Sequence, residues 1–183
     1  MRKFLALPLL VAFVGFTSCS DSEDNDEPVV EENNEILSYE GIELKLDDSD
    51  TEDYGIAFST ATGETYSYAE ISADNIADID IVSATNQAFI AFNSPDADDV
   101  LSEIEGAKST KIQVSNVAMT VAEFDAMEDD TLLKDLTVSD DNEAQSITYR
   151  EVVLFETAEG KIGAFKINML NAQRISIDVK VMK

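Results

Sequence analysis

The sequence contains no histidine and a single cysteine, and these absences restrict its chemistry more than any motif does. Without histidine the chain cannot form a Ser-His-Asp triad, a Cys-His pair, or a histidine-ligated zinc or iron centre. With one cysteine it cannot form an internal disulfide, so the stability of the fold must come from its core. We therefore expect a protein that is not an enzyme and that holds no cofactor.

Basic residues are also few, since 12 Lys and Arg stand against 38 Asp and Glu and give a formal net charge of −26. A field of that sign repels nucleic acid, which we exclude as a partner, and it also repels anionic lipid headgroups. Divalent cations would be attracted, but weakly and without a defined site. Hydrophobic residues make up 44% of the chain, which is enough for a packed core rather than disorder throughout.

Long apolar runs are absent except near the first residue. Arg2 and Lys3 precede an apolar segment from Phe4 to Phe16, and small residues follow it. This order is typical of a secretory signal, and the apolar segment is too short for a comfortable transmembrane helix. No later stretch is long and apolar enough to span a bilayer. The pattern predicts a signal peptide over residues 1–18.

The single cysteine, Cys19, lies where a signal peptidase would cut. The stretch Phe16-Thr17-Ser18-Cys19 resembles a lipobox, with Phe16 at the place of the usual leucine-like residue. The resemblance implies a lipoprotein in which Cys19 carries acyl chains such as palmitate and becomes the mature N-terminus. Several acyl chains on one cysteine hold a protein durably on a membrane. The alternative is a lone buried cysteine beside an ordinary cleavage site.

Residues 19–35 are acidic and contain Pro28, a composition that cannot bury a core and that predicts a disordered tether. Within this tether, Ser20-Asp21-Ser22-Glu23-Asp24 resembles the acidic run that follows the cysteine in lipoproteins of the Bacteroidota type, where it is an export signal. The resemblance implies an outer-membrane lipoprotein that faces the cell exterior. A passive tether is the alternative, and the two roles are compatible.

Residues 36–183 are predicted to form a single globular domain. Apolar residues alternate with polar ones in short runs that predict about eight strands. These lie near residues 42–46, 54–59, 79–82, 88–92, 111–115, 147–156, 162–169 and 175–181. Residues 65–68 predict a further short strand, unless Ser67 and Glu70 form a capping box that opens a helix through Ile76.

Three further segments predict short helices. Ser94-Pro95-Asp96 suits a helix start and Gly106 a helix end. A second capping box, Thr120 with Glu123, precedes a helix, and residues 132–136 add another turn or two. Because turns join the strands in sequence, we expect a mainly β fold, α+β at the margin. It is an antiparallel β-sandwich-like domain with two or three short helices in its connections and a C-terminal three-stranded meander.

Five segments resemble a group of uncharacterised, surface-exposed lipoproteins of the Bacteroidota type: residues 58–63, 78–82, 93–95, 155–163 and 175–181. The resemblance implies a surface lipoprotein of unknown activity and assigns no catalytic residue. The first and fourth segments are distantly similar to haem-scavenging lipoproteins, which hold a ligand in largely β domains. Without histidine, iron ligation would fall to a tyrosine or to Met119, Met127 or Met169. Methionines that fill gaps in the core are the alternative.

The acidic stretch 47–53 offers weak metal ligands in Asp48, Asp50 and Glu52. Hard oxygen ligands suit calcium, but an EF-hand loop needs a glycine at its sixth position and a glutamate at its twelfth. Counted from Asp48, those positions hold Asp53 and Ser59. A solvated loop is the simpler interpretation.

Two further sets of residues suggest ligands. Asp78 and Asp80, two apart on a predicted strand, would share a face, and a carboxylate pair can hydrolyse glycosidic bonds. In so acidic a chain such pairs also arise by chance, so a concave pocket with converging acids is what would favour the hydrolase. Tyr54, Tyr66 and Tyr68 could line a groove for sugars or other flat ligands, although such residues are more often half-buried in a sheet.

The sequence thus predicts a lipid-anchored cell-surface protein with a non-enzymatic binding or structural role. Its acyl chains contact the membrane, and its further partner is an unidentified protein or glycan. A carboxylate-based hydrolase of surface glycans and a haem or small-ligand scavenging domain are the alternatives.

Overall fold

The computed structural model describes residues 35–115, 118–139 and 141–183, which form two five-stranded antiparallel sheets. The ten strands are short to medium in length, and a single short α-helix, α1, is present in the described part of the chain. Their bounds are Ile36–Lys45 (β1), Ala57–Phe58 (β2), Thr65–Tyr66 (β3), Ile81–Ser83 (β4), Ile90–Asn93 (β5), Lys111–Ser115 (β6), Val121–Ala126 (α1), Glu143–Ile147 (β7), Val152–Glu156 (β8), Ile162–Leu170 (β9) and Arg174–Met182 (β10).

The first sheet has the order β1-β10-β9-β8-β6. Strands β8, β9 and β10 are neighbours joined by tight turns, so the predicted C-terminal meander is confirmed. Phe155 pairs with Gly163 and Phe165 with Val179 across it. Strand β1 then adds to the free edge of β10 and places the first described residues beside the last.

The second sheet has the order β3-β2-β4-β5-β7, and its strands are only two to five residues long. The two sheets pack face to face over one apolar core. Phe92 of the second sheet meets Phe165 of the first edge to face, with ring centroids 4.7 Å apart. The mainly β, sandwich-like fold predicted from the alternation is confirmed.

The outer face of each sheet is also partly covered. On the first sheet, α1 and the segment that follows it bury Val152, Leu154 and Ala164. The helix begins with the predicted capping box, since the Thr120 hydroxyl accepts from the Glu123 amide and the Glu123 carboxylate accepts from the Thr120 amide. On the second sheet, 3-10 helices at Ile76–Asp78 and Leu101–Glu103 cover β2 and β4.

The prediction of one strand over residues 147–156 was wrong. Strand β7 ends at Ile147 and β8 begins at Val152. The turn between them is closed by the Glu151 carboxylate, which accepts from the Thr148 amide at 2.7 Å, and Arg150 has a φ of 70°. Strand β7 starts earlier than the predicted strand, at Glu143, which pairs with Asn93 of β5.

The helix predicted from residue 94 to Gly106 was also wrong beyond one 3-10 turn, Leu101–Glu103. Polar side chains compete for the backbone there, because the Ser94 hydroxyl accepts from the Thr110 amide and the Asp98 carboxylate from the Val100 and Leu101 amides. The further turn or two predicted at residues 132–136 is present as the end of the 3-10 helix Asp130–Leu132 and the turn that follows it.

Several strand predictions needed new limits, and one predicted capping box opens no helix. The strand predicted at residues 79–82 begins at Ile81, because a 3-10 helix occupies Ile76–Asp78. The strand predicted at residues 88–92 spans Ile90–Asn93, and Phe89 lies exposed in the turn before it. At Ser67 only half of the capping box forms, because the Glu70 carboxylate accepts from the Ser67 amide and hydroxyl while the Glu70 amide donates to the Ser67 carbonyl oxygen. Turns rather than an α-helix follow.

Candidate functional site

A concavity of about 460 Å³ lies on the outer face of the second sheet, over β5 and β7. Ile90, Phe92 and Ala144 of these strands point into the core. Their neighbours therefore point to the opposite face, where Asn93 is half-buried and Glu143 and Gln145 are exposed. We call this concavity the acidic groove. Its lining residues are Asp47, Tyr68, Ala84, Asn86, Phe89, Ala91, Asn93, Ala97, Asp98, Asp99, Val100, Glu143 and Gln145.

The charge of the acidic groove has one sign. Asp47, Asp98, Asp99 and Glu143 line it, and no lysine or arginine is among its lining residues in the described part of the chain. Asn86, Asn93 and Gln145 add amide groups that both donate and accept hydrogen bonds. The lining therefore has many acceptors and no positive charge of its own.

Hydrogen bonds to both of its oxygens hold the Asp98 side chain in place in the acidic groove. Its side chain is buried, with one oxygen 3.0 Å from the Val100 amide and 2.9 Å from the Leu101 amide. Its other oxygen accepts from the Tyr68 hydroxyl at 2.9 Å. Burial, and then the Asp98 charge, raise the pKa of Tyr68, which keeps the phenol protonated as a donor. Tyr68 is thereby held in place on the groove wall.

Two exposed apolar side chains also line the acidic groove. Phe89 is 45% exposed and Val100 is 50% exposed. Phe89 lies in a tight turn that is ordered by the Asn86 side-chain oxygen, which accepts from the amides of Ala88 and Phe89. The acidic groove therefore presents apolar surface directly beside carboxylates.

The three tyrosines singled out from the sequence do not share one groove. Tyr68 lines the acidic groove, and together with Tyr54 it also borders a neighbouring depression of about 190 Å³. Tyr54 is stacked under the Arg174 guanidinium, 4.8 Å from the ring centroid. Tyr66 turns its hydroxyl toward Thr62 and Glu64 instead. Only Tyr68 keeps a candidate ligand role.

The acidic loop at residues 47–53 places Asp48, Asp50 and Glu52 at the surface. Asp48 accepts from the Gln87 amide at 3.3 Å and so ties this loop to the turn before β5. The described residues contain no group of three acids or other ligands placed to hold a metal ion. Asp48, Asp50 and Glu52 are therefore not placed to hold one metal ion together.

Asp78 and Asp80 do lie together, but not as the alternation of a strand would place them. Asp78 ends a 3-10 helix and is exposed, whereas Asp80 is buried just before β4. Both line a second concavity of about 220 Å³, together with Glu159. Carboxylates therefore converge there, although Asp80 is engaged by Thr60 and Glu159 by Lys108.

Other residues named from the sequence fall elsewhere. Met119 and Met127 are buried in the apolar cluster beneath α1, and Met169 is half-buried on β9. None of them lines either concavity. Cys19 and the acidic run Ser20 to Asp24 lie outside the described residues, so acylation and export stay predictions. Sequence reasoning missed Phe89, Asp98 and Val100, whose role depends on a loop geometry that no local pattern signals.

No helix in the described residues combines the length and apolarity that a membrane crossing needs. No family model matches the chain, and no curated protein shows significant similarity to it. Among solved structures, the chain is similar to a crystal structure of a DUF4466 family protein from Parabacteroides merdae. The TM-score is 0.60 at 18% sequence identity, and the match covers 81% of this chain but 54% of that one. This likeness supports a shared fold with an uncharacterised protein of the Bacteroidota.

Proposed function

We propose that this chain is a lipid-anchored protein of the outer cell surface that binds its ligand non-enzymatically in the acidic groove. The ligand is a peptide segment that carries positive charge beside apolar side chains. One observation carries the proposal: four carboxylates and the exposed side chains of Phe89 and Val100 line one concavity, and no lysine or arginine of the described residues lines it.

The charge of the acidic groove selects among ligands. A cationic group gains favourable interactions with Asp99 and Glu143, while an anionic ligand would face uncompensated repulsion. The apolar part of the ligand covers Phe89 and Val100, which removes exposed apolar surface from water. A neutral glycan would use the ring of Tyr68 and the amides but would leave the carboxylates without a counter-charge.

The proposed location at the outer cell surface rests on the sequence. A basic start, a short apolar segment and Cys19 support acylation, and the acidic tether supports export to the surface. The tether would hold the sandwich away from the membrane, so that the acidic groove could meet ligands outside the cell.

A carboxylate hydrolase is favoured less. The concavity with Asp78, Asp80 and Glu159 has the converging acids that such an enzyme needs. However, Glu159 is ion-paired with Lys108, and Asp80 holds a turn through Thr60. Both carboxylates therefore have structural partners that compete with a catalytic role. The acidic groove has the larger volume and the exposed apolar surface that a binding role requires.

Binding of defined peptides tests the proposed ligand class. Three fluorescent peptides that alternate leucine with arginine, serine or glutamate are titrated into the full chain in detergent micelles, with anisotropy as the readout. We expect the arginine peptide to bind at least about tenfold more tightly than the serine peptide, and the glutamate peptide not to bind. Equal binding of the serine peptide, or stronger binding of a neutral oligosaccharide, would contradict the proposal.

A matched pair of variants separates the acidic groove from the general negative charge of the protein. The double variant Asp99→Asn/Glu143→Gln removes two charges from the groove lining. The control, Glu40→Gln/Asp74→Asn, removes two charges from exposed positions outside it. We expect the groove variant to lose at least about tenfold in affinity and the control to lose little. Phe89→Ala should weaken binding as well. Equal losses of affinity in the groove and control variants would mean that only the overall negative charge of the protein attracts the peptide.

A further inference from the structure

The second concavity, which we call the charged pocket, is built from four separate parts of the chain. Thr60 and Ala61 come from the β2–β3 turn, Ala77, Asp78 and Asp80 from the segment before β4, Lys108 from the loop before β6, and Glu159 and Lys161 from the β8–β9 turn. Its walls thus come from both sheets. It holds about 220 Å³.

Asp80 leaves one carboxylate oxygen without a hydrogen-bond donor in the charged pocket. Its side chain is only 6% exposed. One oxygen, Oδ2, accepts from the Thr60 amide at 2.8 Å and from the Thr60 hydroxyl at 2.7 Å. The other oxygen, Oδ1, accepts no hydrogen bond from the described residues. Oδ1 is not among the fully buried atoms that lack a partner, and Asp80 lines the pocket, so this oxygen is left open to a ligand that donates a hydrogen bond.

The charged pocket also contains a cation without a partner. The Lys108 ammonium is ion-paired with Glu159, and this pair holds the pKa of Glu159 below its ordinary value. Lys161 lines the same pocket, and within the described residues its ammonium has neither an ion pair nor a hydrogen bond. The Asp80 carboxylate, which accepts, and the Lys161 ammonium, which donates and has the opposite charge, therefore belong to residues that line the same small pocket.

We propose that the charged pocket binds a small zwitterion of the α-amino acid type, whose ammonium group donates to Asp80 Oδ1 and whose carboxylate pairs with Lys161. A purely anionic ligand would be repelled by Asp78 and Asp80, and a purely cationic one would leave Lys161 without a counter-charge. Ala61 and Ala77 supply the small uncharged walls beside a short side chain.

The size of the charged pocket agrees with a ligand of this class. About 220 Å³ lies below the roughly 300–1,000 Å³ typical of pockets for drug-sized ligands. Burial raises the pKa of Asp80, with only partial relief from the Thr60 hydrogen bonds. An ammonium group placed against Oδ1 would favour the charged carboxylate, so affinity should fall as the pH is lowered and Asp80 takes up a proton.

Calorimetric titration of the full chain in detergent micelles tests the proposal with L-alanine as the probe. Acetate and ethylamine serve as single-group controls, because each lacks one of the two charges. We expect L-alanine to bind and each control to bind at least about tenfold more weakly. Ethylamine that binds as tightly as L-alanine, or no heat of binding for L-alanine at millimolar concentration, would overturn it.

Two variants assign the contacts. Lys161→Met should weaken L-alanine binding at least about tenfold without affecting the fold, since Lys161 has no partner there to lose. Asp80→Asn should weaken it similarly, but this variant also touches the Thr60 turn, so its unfolding transition is measured in parallel. Lys183→Met, remote in the first sheet, is the matched control. Unchanged affinity in Lys161→Met would refute the proposed contact. The outcome is independent of the acidic groove, which shares no residue with the charged pocket.

Discussion

Lys180 of strand β10 donates to the carbonyl oxygen of Phe124 in the last turn of α1 at 2.8 Å. Its ammonium also lies 2.7 Å from the carbonyl oxygen of Met127 and 5.2 Å from the centre of the Phe124 ring. The last carbonyls of a helix have no partners within the helix, and the negative end of the helix dipole attracts a cation. A lysine on the sheet thereby fastens the helix that covers it.

Replacement of this lysine should loosen the helix. We expect Lys180→Met to lower the free energy of unfolding by about 1.5–3 kcal/mol, because hydrogen bonds from a charged donor are lost while the apolar stem is kept. Urea unfolding measures the change. Lys183→Met is the control, since Lys183 forms an exposed ion pair with Glu35 and should change stability by no more than about 0.5 kcal/mol. Equal effects would contradict the capping role.

The two faces of the first sheet show how far its packing could be predicted from the sequence. The alternation in β10 correctly placed Ile175, Ile177 and Val179 in the core between the sheets. It could not show what covers the opposite face, because that depends on where α1 packs. Lys166 of β9 illustrates this, since it lies between Asp125 of α1 and Asp178 of β10.

The candidate sites were harder to predict than the sheets. The capping box at Thr120 was found because its two contacts are three residues apart in sequence. The acidic groove instead brings Asp47, Phe89 and Glu143 together from distant segments. Periodicity gives no register between strands that are far apart in sequence, and it read Phe89 as part of a strand rather than as an exposed turn residue.

Gly163 and Phe155 give a second stability prediction. The two residues pair across β8 and β9, and a Cβ atom on Gly163 would lie 2.2 Å from the Phe155 ring. Gly163→Ala should therefore cost about 1–3 kcal/mol or more, because the fully buried ring must move. The additional change Phe155→Leu should recover part of the loss, measured by urea unfolding. A Gly163→Ala protein as stable as wild type would show that the ring does not occupy this space.

A series at Ile177 tests the core between the sheets. Ile177 is fully buried, so Ile177→Val should cost about 0.5–1.5 kcal/mol and Ile177→Ala about 2–5 kcal/mol. Leu170→Ala is the aliphatic control, because Leu170 is 39% exposed at the end of β9 and should change stability by about 0.5 kcal/mol. Thermal or urea unfolding gives the three values. A flat series would place Ile177 outside the core.

The proposed anchor depends on one residue. Cys19→Ala should move the protein from the membrane fraction to the soluble fraction, because the acyl chains would be lost. Mass spectrometry of the mature N-terminus should find the chains on Cys19 of the wild-type protein. An unmodified Cys19, or a Cys19→Ala protein that remains in the membrane fraction, would exclude the anchor while leaving the acidic groove untouched.

The last prediction concerns the pH dependence of stability and compares two carboxyl groups whose pKa values are shifted in opposite directions. Burial raises the pKa of Asp80 above its ordinary value of 3.8, so the folded state binds its proton more tightly than the unfolded state does. Hydrogen bonds from Thr120 lower the pKa of Glu123 below its ordinary value of 4.5, so the folded state binds that proton less tightly. The contribution of Asp80 to stability is thus present below pH 3.8 and lost as the pH rises through its folded pKa. That of Glu123 is present above pH 4.5 and lost on acidification.

Urea unfolding across this range, for the wild type, Asp80→Asn and Glu123→Gln, should separate the two signs. Because asparagine does not titrate, the stability of the wild type relative to Asp80→Asn should increase as the pH falls toward 3.8. The stability of the wild type relative to Glu123→Gln should decrease as the pH falls. Each difference cancels the general effect of acid on so negative a chain, which acts equally on wild type and variant. If the Asp80 difference stayed flat or fell with acidification, burial would not raise the pKa of this carboxyl group in the folded protein.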